Sequence, residues 1–130
     1  MMKGRTISPG KAKGIALVSK EPIGFYGGIN IKTGIVIEKG HPLEGKNVKE
    51  KILVFPCGKG STVGSYVLYA LSRNGHAPAA IINEEAEPII ATGAIIGGIP
   101  MIDRIGIPLH RLKNGVRVTV DGGSGAMEYG

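Results

Sequence analysis

The fold is decided by residues 51–71, KILVFPCGKGSTVGSYVLYAL, where an apolar run is followed by a glycine-containing loop and then by a helix-like segment. Ile52–Phe55 is uninterrupted and apolar, which predicts a buried strand. From Thr62 to Asn74, apolar residues recur at three- and four-residue intervals, the pattern of a helix with one buried face. The order of strand, glycine loop, hydroxyl pair and helix is typical of a loop that binds an anion or exposes a reactive side chain.

The serine of this loop, Ser61, has two interpretations. Ser61 or Thr62 would serve as the N-cap of the predicted helix, because a hydroxyl oxygen accepts hydrogen bonds from the backbone N–H groups of the first turn. Gly75 would then end the helix. Alternatively, Ser61 is a base or nucleophile whose alkoxide is stabilised by backbone amides and by Lys59, because a serine hydroxyl is otherwise a poor base at neutral pH.

The loop does not match three well-known glycine motifs. A P-loop needs Lys directly before Ser or Thr, whereas Gly60 separates Lys59 from Ser61. A nucleophile elbow needs G-x-S-x-G, whereas the residues here are KGSTV, and a dinucleotide fingerprint is absent. Gly58 and Gly60 still allow a ligand to approach the backbone closely, and the helix start favours negative charge.

The rest of the chain predicts many short strands and one or two helices rather than a regular alternation of the two. The expected elements are two short strands or one bent strand over residues 2–19 with a turn at Pro9-Gly10, strands at 35–38 and 77–83, a short helix within 85–98, and two strands after residue 115. These elements predict one α/β domain over residues 1–130, a compact sandwich or barrel-like sheet with one main helix after the glycine loop.

Composition and charge narrow the classes of function. The chain has 42% apolar and 20% charged residues, which indicates a folded globular domain, and its net charge is +6. Lys and Arg are dispersed and few aromatic residues accompany them, so we do not expect nucleic-acid binding. An anionic small molecule or an acidic partner surface suits the charge better.

The single cysteine, Cys57, excludes a disulfide within the chain and indicates a reducing cytosol. One thiolate cannot by itself hold an iron–sulfur cluster or a zinc ion, so we expect no metal on this chain. The N-terminal residues lack the apolar region of a signal peptide, and no window approaches the ~20 apolar residues of a membrane span. We therefore expect a cytoplasmic protein without membrane contacts.

Four separated segments, in order, carry a resemblance to a known family. They are GRTISPGKAKGIALVS (4–19), GKGSTVGSYVLY (58–69), NEEAEPIIATGAIIGGIPMID (83–103) and GVRVTVDG (115–122). Together they resemble the small, swivelling-domain subunit of the aconitase X family, which implies a swivelling β/β/α domain. The central segment also resembles the G-x-G-S-S-R-E loop of aconitase and isopropylmalate isomerase small domains. The first serine of that loop is the catalytic base, and Ser61 occupies its place.

The resemblance implies the small subunit of a two-subunit iron–sulfur hydro-lyase. In that family a base removes the proton α to a carboxylate, and a [4Fe–4S] cluster acts on the leaving hydroxyl. The resemblance places the cluster on a large subunit, with which this chain would form a heterodimer, and Ser61 on this chain. The implied reaction is dehydration of (R)-5-phosphomevalonate to trans-anhydromevalonate 5-phosphate in an archaeal mevalonate pathway. The alternatives are a cis-3-hydroxy-L-proline dehydratase subunit and a non-catalytic anion-binding module.

The predicted substrate-binding residues are Lys59, Gly60, Thr62 and Ser65. Lys59 would bind a substrate anion or activate Ser61, unless it is an ordinary surface lysine. Thr62 and Ser65 would donate hydrogen bonds to substrate, unless they are cap and core hydroxyls. The aconitase loop has an arginine after its serines, but Val63 stands here, so this position lacks the usual carboxylate-binding group.

Several other side chains carry weaker signals. Cys57 is interpreted as a small core residue rather than a reactive thiol. His41 and His76 lie in turns, and related folds in other proteins carry a phosphorylated histidine, so their roles stay open. The acidic residues Glu84, Glu85 and Glu87 would contact the large subunit or form an exposed turn. Gly24–Gly28 would be a flexible lip over the site or a plain surface loop.

Overall fold

The computed structural model describes residues 2–130. In this part of the chain there are eight strands, two α-helices and one short 3-10 helix. They are β1 (Met2–Lys3), β2 (Arg5–Ser8), β3 (Lys11–Val18), β4 (Ile52–Phe55), α1 (Gly64–Arg73), β5 (Ala80–Asn83), α2 (Pro88–Gly97), β6 (Met101–Asp103), the 3-10 helix (Leu109–Arg111), β7 (Arg117–Asp121) and β8 (Ala126–Tyr129). None of the described helices is long and apolar enough to cross a bilayer.

The strands form a curled mixed sheet in the order β1-β8-β7-β3-β4-β5-β6-β2. The strands β3, β4, β5 and β6 pair in parallel, and the other pairs are antiparallel. The strands β1 and β2 lie at opposite ends of this order, yet only Gly4 separates them along the chain. The sheet therefore curls until its two edges meet at Gly4, whose N–H donates to the carbonyl of Gly125 at 2.7 Å.

The curled sheet divides the core into two layers. Along β4, Ile52 and Val54 point into the curl, whereas Leu53 and Phe55 point towards the helices, as the two-residue period of a strand requires. All four residues are fully buried because both faces of the sheet are covered. The outer layer consists of α1, α2 and the long segment 19–51. The arrangement confirms the expected α/β class with β/β/α layers.

The strand expected at Ile35–Glu38 is absent from the described structure. Only isolated bridges occur there, between Ile29 and Val36 and between Ile35 and Asn47. Gly34 and Gly45 both adopt positive φ, so the chain turns sharply on either side of the segment. The neighbouring segments each supply a single bridge rather than a strand, so no ladder forms, and Val36 is buried by packing instead.

The helix expected within residues 85–98 is present as α2, and with ten residues it is as long as the main helix α1. The Glu87 carboxylate and Pro88 begin α2, and Gly98, with φ +69°, ends it. Its residues are mostly apolar on both the buried and the exposed side, so the sequence lacks the three- to four-residue period that revealed α1.

Helix α1 begins two residues later than predicted. Its N-cap is Val63, so the expectation of Ser61 or Thr62 at this position is wrong. The N–H of Gly64 donates to the Ser61 carbonyl at 3.0 Å, which places a turn before the helix. The predicted end is confirmed, because Gly75 has φ +76° and its N–H donates to the Ser72 carbonyl.

Candidate active site

The site lies at the carboxyl edge of the parallel strands, where ligands commonly bind in α/β sheets. In the β4–β5–β6 register, Phe55 pairs with Asn83, and Asn83 pairs with Asp103. The loop after β4 and the turn after β5 therefore leave the sheet at the same level. The glycine loop lies beside the N-terminus of α2 for this reason.

The glycine loop and the start of α2 together line a cavity of about 210 Å³. It is lined by Gly58, Lys59, Gly60, Ser61, Glu87, Ile89 and Ile90. The fold thus brings Lys59, Gly60 and Ser61 together, as the sequence predicted, whereas the predicted Thr62 and Ser65 lie outside the lining. Glu87 and the two isoleucines form a wall that the sequence analysis did not assign to the site.

Ser61 is exposed, and its Oγ accepts a hydrogen bond from the Val63 N–H at 3.1 Å. Among residues 2–130, neither the Ser61 hydroxyl proton nor the backbone N–H groups of Gly60, Ser61 and Thr62 have a hydrogen-bond partner. The first turn of α1 contains no acidic residue. Negative charge on Ser61 Oγ or on a bound ligand is therefore favoured by open N–H groups and by the helix dipole.

The backbone holds this loop in an unusual conformation. Gly60 has φ +89°, which strongly favours glycine. Gly58 is buried, and a Cβ there would collide with the side chains of Ile90 and Glu87. The N–H of Lys59 donates to the carbonyl of Ile23 at 3.0 Å, which ties the loop to the long segment 19–51.

Lys59 is held by Glu38, a residue that the sequence analysis missed. Lys59 Nζ lies 3.1 Å from Glu38 Oε2, and both side chains are partly exposed. Glu38 is 21 residues away along the chain and belongs to no motif, so only the fold reveals the pair. The Lys59 ammonium is thus available to an anion only in competition with this carboxylate.

Ser65 and Thr62 contact each other. Ser65 Oγ donates to the Thr62 carbonyl at 3.1 Å, so the Ser65 hydroxyl proton is already used within the first turn of α1. The Thr62 side chain is exposed. This geometry favours the capping interpretation of Ser65, and a substrate contact of either residue stays a prediction.

Glu87 closes the N-terminus of α2. Its carboxylate accepts hydrogen bonds from the N–H of Ile89 at 2.9 Å and of Ile90 at 2.7 Å. The signal in the sequence was the pair Glu87-Pro88, an acidic residue followed by proline at the first helical position. This signal predicted a helix but not a cavity wall.

Buried and surface ion pairs fix the turn that carries Glu87. Asp103 is fully buried, and its carboxylate accepts two hydrogen bonds from Arg5, at 3.0 and 2.7 Å, and one from the Ala86 N–H at 2.7 Å. Arg104 donates two hydrogen bonds to Glu85, which lowers the pKa of that carboxyl. Glu85 is therefore engaged within the chain.

Of the three histidines, His41 and His76 are at least partly buried, and so is Cys57. His41 is buried; its Nδ1 accepts from the Leu43 N–H at 3.0 Å, so Nε2 carries the proton and donates to the Pro22 carbonyl at 3.1 Å. His76 and Cys57 are half-buried. Within residues 2–130 no group of three or more His, Cys, Asp or Glu side chains is placed to hold a metal ion. The residues of this chain therefore do not fit an iron–sulfur cluster, which needs several thiolates.

Comparison with known proteins agrees with this architecture. The family model described as "Aconitase X swivel domain" matches residues 1–129, and the chain belongs to this family. It is 60% identical to the phosphomevalonate dehydratase small subunit of Methanocella arvoryzae over 98% of this chain and 97% of that protein. The subunit of the same name from Methanosarcina acetivorans is 56% identical, with 98% and 89% covered. The resemblance to the aconitase X family is confirmed.

A solved structure has the same fold. The crystal structure of Thermococcus kodakaraensis aconitase X in its holo-form superposes with a TM-score of 0.94 at 53% identity, covering 98% of this chain and 96% of that chain. The expected swivel-domain fold is therefore confirmed as well.

Proposed function

We propose that this chain is the small subunit of a phosphomevalonate dehydratase and that Ser61 is its catalytic base. The observation that carries the proposal is the 60% identity to a subunit of that name over 98% of the chain. The proposed reaction is removal of water from (R)-5-phosphomevalonate to give trans-anhydromevalonate 5-phosphate. Dehydration of cis-3-hydroxy-L-proline has no comparable support.

The role of Ser61 follows from the chemistry of the reaction. The proton α to the carboxylate passes to Ser61 Oγ, its electron pair forms the carbon–carbon double bond, and the β-hydroxyl leaves as hydroxide. Ser61 must first lose its hydroxyl proton to solvent and become an alkoxide, which is costly for an ordinary serine. The Val63 N–H at 3.1 Å, the positive end of α1 and nearby Lys59 all reduce that cost.

The same loop would bind the substrate. The open N–H groups of Gly60 and Thr62 suit a carboxylate or phosphate oxygen, because backbone amides at a helix start bind anions well. Lys59 would exchange Glu38 for a substrate anion, and Thr62 and Ser65 would add hydroxyl contacts. The net charge of +6 supports a phosphorylated hydroxy acid as substrate.

The proposed enzyme is a heterodimer with a large subunit. We assign the [4Fe–4S] cluster to that subunit, because this chain has a single cysteine. Departure of the hydroxide is accordingly assigned to groups outside this chain. A free, half-buried cysteine supports a cytoplasmic location, where thiols stay reduced. Nucleic acid and membrane are not part of the proposed assembly.

The test combines this chain with its large subunit under anaerobic conditions and follows product formation from (R)-5-phosphomevalonate by 31P NMR. We expect turnover only when both chains are present. Turnover of cis-3-hydroxy-L-proline instead would identify the alternative substrate. Anion binding without turnover of either compound would indicate a non-catalytic module. Turnover by this chain alone, free of metal, would contradict the two-subunit proposal.

A further inference from the structure

The aromatic residues of this chain are divided between core and surface in an unusual way. Both phenylalanines, Phe25 and Phe55, are fully buried, whereas the four tyrosines are exposed. Tyr66 and Tyr69 lie on successive turns of α1 with their ring centroids 6.4 Å apart, and Tyr66 is 60% exposed. Adjacent exposed tyrosines are typical of a protein–protein interface.

These tyrosines occupy the outer face of α1. Val67, Leu68 and Leu71 bury the inner face against the sheet and α2. The outer face carries Tyr66, Tyr69 and Arg73 at three- and four-residue spacing, and we name these three residues the tyrosine stripe. The stripe begins one turn after the Ser61 loop.

The position of the stripe relative to Ser61 identifies what covers it. Ser61 is exposed, and within residues 2–130 no group of His, Cys, Asp or Glu side chains is placed to hold a metal ion beside it. Whatever completes the site must approach the exposed Ser61 and therefore also covers the start of α1. The stripe is continuous with that surface, so one partner would contact both.

Charge at the far end of the stripe indicates the chemistry of the partner. In the described part of the chain, Arg73 has no carboxylate within 4.0 Å, and the same holds for Lys32. Lys32 lies beside the end of α1, because Asn74 Nδ2 donates to the carbonyl of Ile31 at 2.9 Å. A complementary surface would offer an apolar groove for the two rings and carboxylates for the two cations.

We propose that the tyrosine stripe is the docking surface for the large, cluster-bearing subunit, which meets it with an apolar groove bordered by carboxylates. This proposal rests on the two-subunit function proposed above. It separates two roles along one helix: the N-terminal loop supplies the base, and the next turns supply the affinity that holds the base in place.

The test measures binding of the large subunit to Tyr66→Ser, Tyr69→Ser and the double variant by titration. We expect the dissociation constant to rise about thirtyfold or more for the double variant. Tyr129→Ser, an exposed tyrosine on β8, is the matched control and should bind like the wild type. Tyr66→Phe keeps the apolar area and should bind within about threefold. Arg73→Glu should weaken binding and flatten its salt dependence.

Activity separates docking from chemistry. At saturating concentrations of the double variant, kcat should return to within about twofold of wild type, because Ser61 is untouched. Wild-type affinity of the double variant, a kcat that stays low at saturation, or dimerisation of this chain through the stripe would each overturn the proposal. If the wild-type pair binds in a stripe-dependent way but does not dehydrate phosphomevalonate, the proposed function fails and the docking surface stands.

Discussion

Helices α1 and α2 begin in opposite ways, although both have ten residues and both follow a strand of the parallel part of the sheet. At α2, the Glu87 carboxylate accepts the N–H groups of Ile89 and Ile90. At α1, the N-cap Val63 makes no side-chain capping bond within the described structure. The chain caps the start of α2 with a carboxylate, whereas α1 is preceded by a turn in which the N–H groups of Gly60, Ser61 and Thr62 stay open.

The open start costs stability and therefore points to function. A helix start without a side-chain cap lacks the stabilisation of about 1 kcal/mol that such a cap typically gives. The loop before α1 and the start of α2 also line one cavity of about 210 Å³, to which Ser61 and Glu87 both contribute. Glu87 thus neutralises the positive pole of α2 at this cavity, whereas the loop before α1 attracts an anion.

Ser61→Ala should reduce catalysis more than any other substitution at the two helix starts. In the assembled enzyme we expect kcat to fall by about two to four orders of magnitude, the usual contribution of a general base. Stability should change by less than about 1 kcal/mol, because Ser61 is exposed and loses only its bond from the Val63 N–H. Turnover assays and thermal melting of the same preparation give both numbers.

Ser124→Ala is the matched control, since Ser124 is an exposed serine in the turn between β7 and β8. It should leave both kcat and melting temperature unchanged. If Ser61→Ala turns over at a near-normal rate and loses only about 1 kcal/mol of stability, Ser61 is a turn residue and not the base.

A second substitution would give the N-terminus of α1 a carboxylate, as Glu87 does for α2. Val63→Asp places a carboxylate at the positive pole, which should raise the free energy of unfolding by up to about 1 kcal/mol. The same charge repels an anionic substrate and an alkoxide at Ser61, so kcat/KM should fall about tenfold or more. Val63→Asn has the same shape without the charge and should keep most of the activity. Equal activity of the two variants would mean that the open pole is not used.

Some secondary-structure elements could be predicted from the sequence and others could not. Ile52–Phe55 was predicted to the residue, and α1 to within two, because both obey strong periodicities. The length of α2 was underestimated because its residues are apolar on all sides, so periodicity gives no signal. The strand predicted at Ile35–Glu38 does not form, because its β-forming residues lie between glycine turns with no partner strand nearby.

The residues of the site, too, could be predicted only where they are close together in the sequence. Lys59, Gly60 and Ser61 are contiguous in sequence, so a local motif was enough to place them together. Glu38 and Glu87 reach the loop from 21 and 26 positions away from Lys59 and Ser61, respectively, through tertiary contacts that a single sequence does not encode locally. The roles proposed for the loop residues come from family resemblance and chemistry, and the substitutions test them.

Glu87→Ala removes the capping carboxylate of α2 and should affect activity less than either substitution at α1. Two N–H groups lose their acceptor, so the free energy of unfolding should fall by about 1 kcal/mol. Loss of Glu87 does not touch Ser61 Oγ or its bond from Val63, so kcat at saturating substrate should stay within about twofold. Glu87→Asp, which restores a capping carboxylate, should recover most of the stability in chemical denaturation. A kcat loss as large as that of Ser61→Ala would show instead that both helix starts take part in the chemistry. Glu87 would then be more than a structural cap, and the two helix starts would differ in position but not in role.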